Sequence, residues 1–352
     1  MSGSSAGRAE LEIVRVCHAG LDRIGLRQQL LVSLRRLLPV EAVFLATADP
    51  ETLLFTDAYA EEPLDTATAL FMENEFGRVD VNKFTTLATS RRQVASLDQV
   101  TRNDRLTSPR YRDIMRPLSL GDELRAALIV DHQCWGFLCL HREDHHRGFT
   151  ASEAALITRI SPHLAAGLRQ AVLLHGRNTP DRSAPGVVVL SDDLSPVAMT
   201  AEAEHLLSLV EGPAAPLPVP VHAVAAALLA LEQGGTSIRP PTARVPTRAG
   251  PLLKLHASRL PGPPSEGRIA VVVETAEASA AASLLLSAHG LTSREAEVAR
   301  LVLRGASTRA IADTLHISVH TVQDHLKAVF TKVGVRSRRD LVGQLMGGAQ
   351  AL

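Results

Sequence analysis

The side chains best suited to chemistry lie near the carboxyl end. His320, Gln323, Asp324 and Lys327, followed by Thr331, recur at three- and four-residue steps, so on a helix they share one stripe. The opposite stripe holds Val322, Leu326, Val329 and Val333 at i, i+4, i+7 and i+11, an apolar seam that fixes the helix against a core. A polar stripe of this makeup can hydrogen-bond base edges in a major groove. Glutamine pairs with adenine, lysine with guanine and aspartate with the cytosine amino group. Asp324 also has two other readings, as a repulsive filter or as a surface residue outside the interface. Phosphate contacts, which set register rather than sequence, fall to Ser307, Thr308 and Arg309, to Thr321 and Lys332, and to Arg336, Ser337 and Arg338.

Four short helices must position these groups. Thr292 and Glu295 have the spacing of a capping box for the first, and Gly305 suits the left-handed residue that ends it. Ser307 caps a second helix reaching about Leu315, whose Ile311, Ala312 and Leu315 share a face. After the turn His316-Ile317, Ser318 caps the third, and Ile317 can staple onto Val322. Gly334 ends that helix, and Ser337 with Asp340 starts a fourth. Two short helices, a tight turn and a longer amphipathic helix predict a helix-turn-helix, with its core at 307–326. The fourth helix carries Leu341, Val342 and Leu345, an apolar surplus that predicts a homodimer and an operator built as an inverted repeat.

Leu291-Thr292-x-Arg294-Glu295-x-Glu297-Val298, Gly305-x-Ser307, Ile311-Ala312, Ile317-Ser318-x-x-Thr321-Val322-x-x-His325-Leu326 and Lys332-Val333-Gly334-Val335-x-Ser337-Arg338 together resemble the LuxR-type DNA-binding domain. The resemblance implies a bacterial transcription regulator with double-stranded DNA as its partner and RNA polymerase as a further one. Two departures stand out. Many members carry Lys where this chain has Gln323, which changes what is read in the groove. An Asn-Lys-Glu-like run is replaced by Thr308-Arg309-Ala310, which leaves the second helix's capping box half built.

At 352 residues the chain has room for two or three domains, and its formal net charge is zero. Charge is nevertheless uneven: from Ser287 onward nine basic residues face five acidic ones, a basic module on an acidic body. No apolar run approaches the roughly 18 residues of a membrane span, and Met1-Ser-Gly-Ser-Ser-Ala-Gly lacks the apolar core of a signal peptide. Three cysteines make no disulfide framework. These features together predict a cytoplasmic protein.

Upstream, Arg8 to Leu38 has an amphipathic helical pattern, Ala42 to Ala46 a strand pattern, and Glu123 to Val130 with Cys134 to His141 the pattern of a hairpin around Asp131-His132-Gln133. A closing helix follows a Thr150-x-x-Glu153 capping box and contains Pro162, which predicts a kink. Asp122-Glu123-Leu124-Arg125, Trp135-Gly136-Phe137-Leu138-x-Leu140-His141-Arg142, Phe149-Thr150 and Ser161-Pro162-His163-Leu164 resemble GAF-like domains over residues 8–174. The linker at 176–185 is polar and rich in breakers. Beyond it, three strand patterns (186–190, 252–259 and 268–274) form a unit over 186–275 that is similar to a PAS domain. A linker helix at 277–288 then opens the carboxyl-terminal domain, 277–352.

Other constellations read as structural. His132, Cys134, Cys139, His141, His145 and His146 crowd into fifteen residues, but their spacing is not that of a zinc site. Period two places Cys139 and His141 with Trp135 and Phe137 on one strand face and Cys134 on the other. They are expected to be core cysteines and loop histidines, with no metal and no cofactor. Asp192-Asp193 reads as a turn after an edge strand rather than a phosphoacceptor pair. Ser161 and His163 do not face one another on a helix, so no catalytic set is expected. The fold class is thus multidomain: a GAF-like α+β domain, a smaller PAS-like α+β domain and an all-α helix-turn-helix domain. The function expected is sequence-specific DNA binding, with the body sensing a small molecule or partner. The alternatives are an adaptor binding protein through the last domain, or a sigma-like factor.

Overall fold

The computed structural model describes residues 3–145, 147–174, 184–210, 217–234, 240–248, 251–262 and 267–346. His146 and most of the expected linker lie outside these. The chain opens with α1 (Gly3–Cys17) and α2 (Arg23–Leu37). The single helical run expected here is broken at Gly20, whose φ of +67° suits glycine. Asp22 restarts it, its carboxylate accepting from the Gly25 amide at 2.7 Å. There follow β1 (Ala42–Ala48), β2 (Phe55–Ala60), α3 (Thr68–Met72), α4 (Phe84–Thr89), β3 (Val94–Ser96), α5 (Leu97–Thr101), β4 (Leu120–Val130), β5 (Gln133–Glu143) and α6 (Ala151–Leu174). The strands form one antiparallel sheet in the order β2-β1-β5-β4-β3.

β2 and β3 escaped the sequence pattern. β3 is three residues long, and Phe55–Ala60 does not alternate because its first four residues are all buried. The β4–β5 turn is Asp131-His132, both with positive φ, as a two-residue hairpin needs. α6 begins at the expected box, Glu153 accepting from the Thr150 amide at 2.8 Å, and it runs unbroken through Pro162. α1, α2 and α6 cover one face of the sheet, burying Leu26, Leu30, Ile157, Ile160 and Leu164 against Leu138 and Leu140. The other face packs Phe44, Phe55, Phe84 and Phe137 with α3 and α4. A bulge at Leu128–Ile129, opposite Cys134–Gly136, shifts the register there. Trp135 therefore joins the α6 side, whereas Cys134, Phe137 and Cys139 face the other way, which corrects the simple period-two reading.

The second unit comprises β6 (Gly186–Ser191), β7 (Pro196–Met199), α7 (Ala201–Ser208), α8 (Val219–Glu232), β8 (Thr242–Val245), β9 (Leu253–Leu260) and β10 (Arg268–Thr275). Its antiparallel order, β7-β6-β10-β9-β8, repeats that of the first sheet strand for strand. β6 lies between β7 and β10, so the Asp192-Asp193 turn does not follow an edge strand. It is still a turn: Asp193 accepts from the Ser195 amide at 3.0 Å, and Asp192 pairs with Arg259. The Val221–Leu231 run is α8, buried on more than one side as an all-round apolar helix must be. α8 packs on β8, β9 and β10 of its own sheet and on β2 and α3 of the first, so both sheets share one core. A buried ion pair reinforces the junction, with Arg244 Nε on Asp49 Oδ2 at 2.8 Å.

The last five helices are α9 (Ala278–Ala288), α10 (Ser293–Leu303), α11 (Thr308–Leu315), α12 (Val319–Val333) and α13 (Arg338–Met346). α9 serves two cores. Ala281, Leu284 and Ala288 pack with α6, while Ala282 and Leu286 pack into the core of α10–α13. Gly290 follows in the left-handed region, at φ +69°. A Cβ there would lie 3.2 Å from Arg169 and 3.3 Å from Asp131 of the first domain. Among the described residues no helix is long and apolar enough to cross a membrane.

Candidate nucleic-acid interface and sensor interior

Capping fixes the carboxyl-terminal geometry. Thr292 and Glu295 make both bonds of the capping box, Ser307 accepts from the Ala310 amide, and Ser318 accepts from the Thr321 amide. Gly305, His316 and Gly334 are left-handed residues between helices. Val322, Leu326, Val329 and Val333 are buried, with Ile317 packed beside them. The opposite stripe, His320, Gln323, Asp324, Lys327 and Thr331, is exposed throughout. Asp324 sits between its neighbours, 3.6 Å from His320 and 3.7 Å from Lys327, so the free protein offers a short polar ladder rather than an isolated carboxylate.

The groups expected at phosphates divide. Arg338 donates to the Ala306 carbonyl at 2.9 Å and to Thr308 Oγ1 at 3.2 Å, which brings the start of α13 against the start of α11. That contact gathers Ser307, Thr308, Arg309, Arg336, Ser337 and Arg338 into one region, with Arg309 and Arg336 exposed. Ser337 is occupied as a cap, accepting from the Asp340 amide at 3.1 Å, and Thr321 Oγ1 bonds Ser318 Oγ at 2.8 Å. Lys332 departs from expectation. Its ammonium donates to Glu295 Oε2 at 2.6 Å and to the Gly290 carbonyl at 3.2 Å, clamping the end of α12 to the start of α10. Burial alone would raise the Glu295 pKa, but Lys332 and the Thr292 bonds hold it below the ordinary value. The three apolar residues assigned to a dimer contact also depart. Leu341 and Leu345 are buried in the domain's own core, and Val342 packs half-buried against it.

The body contains a buried polar network that sequence reasoning missed. Glu123 on β4 accepts from Arg110 and Arg125; Arg125 also reaches Glu75 at 2.7 Å and lies over the Phe84 ring at 4.3 Å. Asp80 accepts from the Arg110 amide at 2.7 Å and from Ser108 at 2.8 Å. Burial pushes the Glu123 carboxyl up, but the two guanidiniums overturn this and hold it well below the usual range. Cys139 and His141 are part of this region. His141 is a buried strand residue, not a loop histidine, and burial lowers its pKa to about 4. The missing signal is register: Glu123 and His141 are cross-strand neighbours 18 positions apart, and no local motif connects them.

These elements define a helix-turn-helix protein whose DNA-reading unit follows two α+β sheets. Residues 289–344 match the family described as bacterial regulatory proteins, luxR family, and residues 22–168 match the GAF domain family. The spore germination protein GerE of Bacillus subtilis (strain 168) is 39% identical over 56 residues, covering 16% of this chain and 76% of that protein. The monoamine regulon transcriptional regulator of Klebsiella aerogenes is 43% identical over 54 residues, covering 15% of this chain but only 24% of that regulator. Among solved structures, Escherichia coli SdiA aligns over 98% of each chain at 11% identity and a TM-score of 0.34. The phycoerythrobilin-bound GAF domain of a cyanobacterial phytochrome covers 48% of this chain and 97% of its own, at 14% identity and a TM-score of 0.33. The chain belongs to the luxR family of bacterial regulatory proteins and is a DNA-binding transcription regulator with a GAF domain.

Proposed function

We propose that the last domain reads an operator through His320, Gln323, Asp324 and Lys327, and that the body ahead of it responds to a small molecule or partner protein. The observation that carries the reading is the division of α12: four buried apolar residues anchor it, and the polar stripe opposite is open to solvent. Arg309 and Arg336 are the cations best placed for phosphates, with Ser307, Thr308 and Thr321 beside them. Arg338 and Lys332 act mainly by holding the helices in place. The protein works as a cytoplasmic homodimer on an inverted repeat, and RNA polymerase is a further partner. The dimer contact lies outside Leu341 and Leu345, which the domain's own core consumes. The repeated sheet order supports taking 186–275 as a second, PAS-like sensor unit beside the GAF-like unit at 8–174, with 277–352 as the DNA-binding end. α9 is the route between them, since one of its faces belongs to the sensor core and another to the helix-turn-helix core. The test is selection of bound sequences from a random DNA pool, followed by salt titration of the selected operator. Affinity independent of sequence and salt would favour the adaptor reading.

A further inference from the structure

The interior face of the β4–β5 hairpin holds an N/O/S donor set that the DNA-binding function does not use. Glu123 pairs in register with His141, and Arg125 with Cys139, so these four residues form a two-by-two grid on one sheet face. A ligand atom from each of Glu123, Cys139 and His141 lies within 4.8 Å of the other two, and all three residues are buried. The Cys139 thiol donates to Glu123 Oε2 at 3.4 Å, and among the described residues His141 Nδ1 has no hydrogen-bond partner. We propose that Glu123, Cys139 and His141 form a binding site for one divalent transition-metal ion of the zinc or iron(II) class.

Three arguments support the assignment. The donor types match: a thiolate and an imidazole select borderline and soft ions over magnesium or calcium, and three protein ligands leave an open position for a further one. Orientation is provided as well. Arg110 holds Glu123 Oε1 and Arg125 holds Oε2, the oxygen that also accepts from the thiol, and such outer partners commonly set a ligand's direction. The charge change is small as well. Three buried carboxylates (Glu75, Asp80 and Glu123) face two guanidiniums and the half-buried Lys83 ammonium. A divalent ion that displaces the Cys139 proton to solvent adds only a single positive charge.

Cobalt(II) titrated into the full-length, reduced protein provides the test. The expected result is a thiolate-to-cobalt charge-transfer band in the near ultraviolet that saturates at one ion per chain. Cys139→Ser should abolish it, and His141→Gln should weaken binding by about tenfold or more. The complementary variant, Cys17→Ala with Cys134→Ala, leaves Cys139 as the sole thiol and should keep the band. Far-UV circular dichroism establishes that each variant is folded. Unmodified protein gives a second readout: excess zinc should raise its melting temperature, and a chelator should reverse the rise. The proposal is overturned by the absence of both the band and the zinc shift in unmodified protein. A band that survives in folded Cys139→Ser, or is lost from the folded sole-thiol variant, overturns it equally. None of these readouts depends on DNA binding, so failure here leaves the operator-reading proposal standing.

Discussion

Gln323 and Lys332 lie nine positions apart on α12, and their surroundings assign them different work. Gln323 is exposed on the polar stripe, so Gln323→Ala should relax base preference at one operator position while leaving stability unchanged. Arg309→Ala should instead weaken all sequences about equally and reduce the salt slope by roughly one. If pool selection shows unchanged preference at every position for Gln323→Ala, the reading register is wrong. Lys332→Ala belongs with folding. Losing the bond to Glu295 should cost about 1 kcal/mol and a few degrees of melting temperature. Its pH dependence has a definite sign. Glu295 is depressed in the folded state, so its contribution is full above the ordinary glutamate value of 4.5 and fades as pH falls below it. The stability gap between wild type and Glu295→Gln should therefore narrow on acidification from pH 6 to pH 3. A gap that stays constant would mean that the ion pair is not what the substitution removes. The stripe and caps were legible because they are local and periodic. The clamps made by Lys332 and Arg338 were not, since each spans thirty or more positions with no repeating pattern.

Among the elements, α10 to α13 could be read almost residue by residue, because each begins with a hydroxyl cap and left-handed residues separate one from the next. The body was harder. Its short strands β3, β7 and β8 are too brief to show a period, β2 is buried along its first four residues, and α8 gives no amphipathic signal because it is buried against both sheets. The burial of Leu341 and Leu345 was missed for a related reason: sequence shows that they are apolar but not which core they fill. α9 is the element where a substitution should separate sensing from reading. Leu284 packs with the sensor and Leu286 with the helix-turn-helix, so each truncation disturbs a different core. Leu284→Ala should change operator affinity while leaving the base preference untouched. Leu286→Ala should chiefly destabilise the carboxyl-terminal domain, by roughly 2–5 kcal/mol. Identical effects of the two variants on affinity and on melting would show that α9 is only a tether.

For the whole molecule, the question is whether the body does more than carry the DNA-binding domain. Operator affinity of residues 276–352 should differ from that of the full chain at matched oligomeric state, because the full chain holds α9 against α6 and Gly290 against Arg169 and Asp131. Equal affinity, with and without cell extract, would leave the body as a scaffold. The path of α8 has a separate consequence. This helix belongs by sequence to the second sheet but is a wall of the first, touching β2 and α3 as well as β8, β9 and β10 of its own sheet. The polar stretch at 176–185 therefore marks where the chain changes sheets without marking a place where the fold can be cut. A fragment ending at residue 174 would strip α8 from β2 and α3 and present their apolar side chains to water. Such a piece should precipitate, whereas one ending at 275 should not. In denaturant, the two sheets should come apart as a single step.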